Sequence, residues 1–163
     1  MLDILEEVEK ALPHLLSSQV GWKTVFVNYD FPQVERIWRP WYEYRVYLHR
    51  LLPCGSSEAG FHPHPWPAAM LVCDGSYEML VGHGPGENPP PTASRLILAK
   101  GSRYEMVDRD AWHSVRPIDR PAISLMVSGK PWKRPVKKSS YILPDLAEDK
   151  FVEIFDFFRQ AYP

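Results

Sequence analysis

Gly60-Phe61-His62-Pro63-His64, followed by Ala68-Ala69-Met70-Leu71-Val72-Cys73-Asp74-Gly75-Ser76, is the stretch on which the reading of this chain turns. Two histidines stand one residue apart after a glycine-containing turn, and Asp-Gly separates the apolar run 68–73 from a second run, 76–81. Alternate residues of a strand share a face, so His62 and His64 can aim two imidazoles at one place. Asp-Gly between two apolar runs is a strong hairpin signal. A third histidine, His113, opens another strand-like run, so a neighbouring strand could complete a three-histidine metal site with open positions. The competing reading of the pair is a turn with two exposed imidazoles.

Working outward, strand patterns cover residues 42–52, 68–73, 76–81, 95–99, 102–107, 113–117 and 122–128. Gly84-Pro85-Gly86 and three successive prolines, Pro89 to Pro91, mark an exposed connection over 82–92. Residues 19–41 are aromatic and irregular, with a strand plausible over 23–27. Leu2, Leu5, Val8, Leu12 and Leu15 recur at helical spacing with acidic residues between them, which predicts an amphipathic helix over 1–18 that Pro13 ends or kinks. Phe151, Ile154, Phe155 and Phe158 place a second helix over 146–162, packed outside the sheet. The chain reads as one domain over 1–163, an all-β barrel or jelly roll with core 42–129 and a helix at each end. Seventeen prolines and 13% aromatic residues suit many short strands better than a helical bundle.

Net charge is −1, from 19 Lys and Arg against 20 Asp and Glu, so no overall field recruits nucleic acid or an anionic membrane. The acidic start and the lack of any apolar run of ~20 residues predict a soluble, cytoplasmic protein with no membrane segment. In that compartment Cys54 and Cys73 are expected as free thiols. The basic run Lys130-Pro131-Trp132-Lys133-Arg134-Pro135-Val136-Lys137-Lys138 could hold an anion or stack a base on Trp132, but a solvated connection fits the near-zero net charge better.

Gly60-Phe61-His62-Pro63-His64, Gly75 closing a hairpin, and Asp108-Arg109-Asp110-Ala111-Trp112-His113 together resemble the two signature motifs of the cupin superfamily. The resemblance spans about residues 45–129 and implies a double-stranded β-helix, the cupin jelly-roll barrel. It also implies that His62, His64 and His113 are metal ligands. Ala68 or Ala69 stands where cupins usually carry a glutamate, which leaves three protein ligands and more open positions. A neutral three-histidine Fe(II) site is similar to that of the thiol dioxygenase branch, which includes cysteine dioxygenase. Ser124 matches that branch's Ser-x-His-x-Tyr strand, whereas Met126 and Ser128 stand at its histidine and tyrosine positions.

The expected cofactor is therefore a divalent metal, Fe(II) first, with Zn, Ni or Mn as alternatives. Its partner would be a small-molecule substrate, with a thiol as one candidate, and the exposed edges of such sheets allow a homodimer. Arg45, Tyr47 and His49 share a strand face; inward, Arg45 could clamp a carboxylate and Tyr47 donate a hydrogen bond, and outward, Arg45 is a surface residue. His49 reads as a core or pocket histidine rather than a ligand. Met70, Trp112 and Met126 wall a substrate cavity or simply fill a core, and Cys73 reads as a pocket neighbour with an inert thiol. Three functions fit: an Fe(II) dioxygenase, a Zn- or Mn-dependent isomerase or lyase, and a non-catalytic small-molecule binder.

Overall fold

The structure, a computed structural model, describes residues 1–28, 30–132 and 143–163. Asp74 and Gly75 make the turn that the sequence predicts. Gly75 has φ +75°, and a Cβ there would sit 2.8 Å from the Pro121 carbonyl oxygen, so only glycine fits without strain. The turn joins β5 (Ala68–Asp74) to β6 (Ser76–His83), but it does not close the expected hairpin: the two strands go to different sheets, β5 pairing with Ala122–Ser128 and Arg103–Met106 and β6 with Ala111–Pro117 and Thr92–Ala99.

One sheet has six strands in the order β1 (Lys23–Val27), β2 (Val34–Trp41), β3 (Tyr44–Leu51), β10 (Ala122–Ser128), β5 and β8 (Arg103–Met106). The other has four: β4 (His62–Pro63), β9 (Ala111–Pro117), β6 and β7 (Thr92–Ala99). Every strand pair is antiparallel. With α1 (Leu2–Leu15) and α2 (Glu148–Ala161) flanking the sheets, this is a mostly-β jelly roll of the double-stranded β-helix kind. The helix α1 continues through Pro13 to Leu15, because Leu5, Val8, Leu12 and Leu15 all bury against the sheet and fix the last turn.

The largest change from the sequence reading is β2, absent from the expected strands. Its hairpin with β3 turns at Tyr42, whose φ of 50° lies in the left-handed region. The strand core accordingly starts well before residue 42. β7 begins at Thr92, directly after the prolines, and β9 begins at Ala111, so His113 lies inside its strand.

Both faces of the six-stranded sheet are covered, which is why alternation is lost in β3: Val46, Tyr47, Leu48 and His49 are all buried. Val46, Leu48, Ala69, Leu71, Leu125 and Val127 pack outward against α1 and α2. Tyr47, Met70 and Met126 pack on the opposite, inner face. Among the described residues no helix is long and apolar enough to cross a membrane. Leu12 is fully buried in the outer layer, so Leu12→Ala is expected to cost about 2–5 kcal/mol in urea unfolding.

Candidate functional site

Register brings the histidines together. In the β4–β9 pair His62 lies opposite His113, and the His64 N–H donates to the Ala111 carbonyl. The His62 and His113 rings are 4.8 Å apart and the His64 and His113 rings 5.0 Å apart, centroid to centroid. Phe61 packs on Trp112 beside them, in the space left by Gly82, where a Cβ would come within 2.8 Å of the Phe61 ring. Two intrachain bonds orient the pair: His62 Nδ1 lies 3.1 Å from the Gly60 carbonyl oxygen, and His64 Nδ1 lies 2.8 Å from that of Trp66. A carbonyl only accepts, so in the neutral ring Nδ1 carries the proton and Nε2 keeps its lone pair.

Burial pushes all three imidazoles below their ordinary range, His64 to about 4, so they are neutral at pH 7. His62 is exposed and borders the cavity, and the protein gathered around the ring still opposes its charging. His113 Nδ1 is buried with no hydrogen-bond partner among the described residues. This donor set, three neutral nitrogens with two carbonyl-tethered rings and one unpartnered ring, is of the kind that holds a divalent metal. The rings do not form a finished ligand set as they stand: among the described residues, no three His, Cys, Asp or Glu side chains are disposed to hold a metal ion.

The histidines line a cavity of about 1050 Å³ between the sheets, walled by Phe31, Leu51, Met70, Tyr104, Trp112 and Met126 among others. Its polar side chains include Arg36, His49 and Ser124. Of the residues expected at a substrate site, His49, Met70, Trp112 and Met126 face this cavity. Tyr47 lies on the same sheet face but is buried beneath it, packed with Met70, Met126 and Trp38.

Two expected positions fall elsewhere. Arg45 shares the inner face, yet it sits near the start of β3, where the strand leaves the hairpin; its side chain is exposed and stacks over Trp38 at 5.3 Å. Cys73 points to the helix side of β5, because its neighbours Val72 and Asp74 occupy the other face. It borders an open hollow of about 590 Å³ with Glu9, Arg103 and Tyr162, and burial pushes its thiol up to about 11. Both cysteines are free.

Three glutamates outside the histidine motifs are engaged with other partners. Glu58 accepts from the Gly55 N–H, Glu78 pairs with Arg95 and Arg116, and Glu105 pairs with the amino terminus. Asp108, five residues before His113, bonds to exposed His83 at 2.8 Å. In the basic segment, Trp132 donates its N–H to the Pro65 carbonyl, while Lys133 to Lys138 lie outside the described residues. The sequence reading missed Arg36. The signal was the alternation of Val34, Arg36 and Trp38, hidden by the missing strand.

No protein-family model and no curated protein matches the sequence. Among solved structures the chain is similar to Fe(II) HppE in complex with substrate, at 16% identity and TM-score 0.50, covering 64% of this chain and 55% of that one. It is also similar to hydroxypropylphosphonic acid epoxidase from S. wedmorenis, at 15% identity and TM-score 0.49, again covering 64% and 55%. The chain spans about half the length of these structures. At such identity the likeness is one of fold, a β-rich domain of the same general kind.

Proposed function

We propose that this chain is a metal-dependent enzyme of the cupin type, holding one divalent ion, Fe(II) foremost, on His62, His64 and His113 and oxidising a small substrate with dioxygen. The observation that supports it is the gathering of three neutral imidazoles, from β4, the residue just beyond it, and β9, on the wall of a cavity large enough for a small molecule. The Fe(II) named for the similar HppE structure agrees with that choice of metal. Bound metal would supply a Lewis-acidic, redox-active centre for substrate and oxygen.

The protein's own part is orientation and exclusion of water. Gly60 and Trp66 carbonyls fix two rings, so ligation asks mainly for a turn of the His113 ring, whose Nδ1 has no hydrogen bond to lose. The aromatic and methionine walls keep bulk water from the reacting groups and hold the substrate in one pose. Held by three neutral imidazoles, a bound ion would have no ligand charge to offset its own. That charge equally suits a Zn- or Mn-dependent isomerase or lyase polarising a carbonyl, which is the second reading.

Elemental analysis of protein purified without affinity tag or chelator is the test, followed by oxygen uptake by the Fe(II)-loaded protein with small thiols and hydroxy acids. About one metal per chain and substrate-dependent oxygen uptake are expected. Metal without oxygen uptake moves the assignment to the second reading. No metal, and none taken up from Fe, Zn, Ni or Mn, rejects both and leaves a small-molecule binder.

A further inference from the structure

Four strands end the two sheets, and among the described residues three of these edges are protected. Along β1 the Phe26 N–H donates to the Pro144 carbonyl and the Thr24 hydroxyl to the Asp145 carboxylate, so the segment before α2 covers that edge. β8 is four residues long, and it is tied to the first helix through Arg103 with Glu9 and Glu105 with the amino terminus. β4 has two residues, one of them a proline that donates no backbone hydrogen bond. Short length, proline and a covering segment are the usual means of blocking an edge.

β7 has none of these. It runs for eight residues, hydrogen-bonds on one side only, to β6, and is exposed at all of them but Leu98. Leu96 is 42% and Ile97 59% exposed, one on each face of the sheet. No Lys, Asp, Glu or Pro interrupts the strand, and its single charge, Arg95, is paired with Glu78 on β6. A long, apolar edge whose one charge is already neutralised is a template for another strand.

We propose that β7 is a dimerisation edge, on which a second copy of this chain lays its own β7 antiparallel about a two-fold axis, joining the two four-stranded sheets into one of eight strands. A two-fold axis perpendicular to the sheet makes the new pair antiparallel by symmetry, which is the pairing found throughout both sheets. The same axis keeps both inner faces on one side, so each residue opposes one of its own face. A bulge at Ala93 limits the regular run to Ser94–Ala99. Axes through Leu96 or Ile97 pair five residues of that run and set an apolar side chain against its own copy. An axis through Arg95 pairs three and opposes two guanidinium groups, so length and charge both reject it. The edge is thus self-complementary, and a net charge of −1 lets two copies meet without strong repulsion. Six residues span only ~20 Å, one strand deep, which falls short of the ~800 Å² per partner of a standard stable interface. The dimer is therefore reversible and concentration-dependent.

The test is sedimentation velocity of the full chain from about 5 to 500 μM, with chelator present so that metal cannot bridge exposed histidines. Monomer should give way to dimer across this range. Leu96→Lys, which sets like charges close to the axis, should raise the dissociation constant at least tenfold; Ile97→Lys, at the more exposed position, should do the same and serves if Leu96→Lys fails to fold. Hydrogen exchange at the two concentration limits reads the geometry: amides in 94–99 should slow on dimerisation while those of β1 and β8 stay unchanged. A chain that is monomeric throughout overturns the proposal and leaves the edge to a strand of another protein. A dimer that survives both substitutions in folded protein, or that protects a segment other than 94–99, overturns it as well. None of these readouts involves His62, His64 or His113, so the outcome is independent of the function proposed above.

Discussion

Replacing His64 with alanine should weaken metal binding by at least a hundredfold while the protein still folds. His64 is expected to carry a third of a ligand set with no carboxylate to compensate. Loss even of a residue that only orients a ligand typically costs 10- to 100-fold, so loss of a ligand costs more. A hundredfold corresponds to about 2.7 kcal/mol of binding free energy. The structural cost is smaller. The side chain is neutral, and the substitution forfeits the bond to the Trp66 carbonyl and leaves a gap that cavity water can enter, about 1–2 kcal/mol. His83→Ala is the matched control, since His83 is exposed and bonded to Asp108 away from the cavity. Competition against a chromophoric chelator reads the affinities directly. Equal affinity in wild type and His64→Ala would remove His64 from the site, whatever the purified protein contains.

The parts of the fold legible in the sequence are those whose signal is local. Asp74-Gly75 predicts its turn because the left-handed φ belongs to the dipeptide itself, and the leucine spacing of α1 survives Pro13 because four buried contacts outweigh one missing hydrogen bond. The juxtaposition of His62 with His113 was readable because it needs only a strand pair, and strand pairing supplies it. What could not be read depends on where a strand lies in the sheet. β2 hides behind Arg36, Arg39 and Pro40, polar or strand-breaking residues tolerated because Arg36 faces a cavity and Arg39 stacks on Trp22. With β2 unseen, Arg45 was the available cation on the inner face. The structure shows that Arg36, four residues further along the cavity in register, occupies the wall instead. Cys73 illustrates the same limit: parity separates it from Val72 and Asp74, but only the two-sided burial of the sheet decides which parity faces the helices.

Metal-free protein should lose stability steeply as pH falls from about 6.5 towards 4. His49, His62, His64 and His113 all have depressed affinity for protons in the folded chain, with burial the leading cause, and neighbouring positive charge adds to it. In the unfolded chain each titrates near 6.5, so below that pH the unfolded state binds more protons and gains on the folded one. Their contribution is complete above pH 6.5 and declines as pH falls through the window down to the folded values. For His64, depressed to about 4, the shift is worth roughly 3 kcal/mol by pH 4, a large share of the 5–15 kcal/mol typical of a domain. The carboxylates whose affinity for protons is lowered by ion pairs near the surface, Asp74 and Glu153 among them, act lower still, below their ordinary 3.8 and 4.5, and solvent screens them. Urea unfolding followed by tryptophan fluorescence at half-unit steps from pH 7.5 to 4.5 separates the two windows. A fall in unfolding free energy approaching 1.4 kcal/mol per pH unit for each strongly depressed histidine is expected, with a shallower slope in His64→Gln. A flat profile over this range would mean that these rings are solvated enough to charge in the folded state, and the buried setting of the histidines on which the proposed site rests would have to be abandoned.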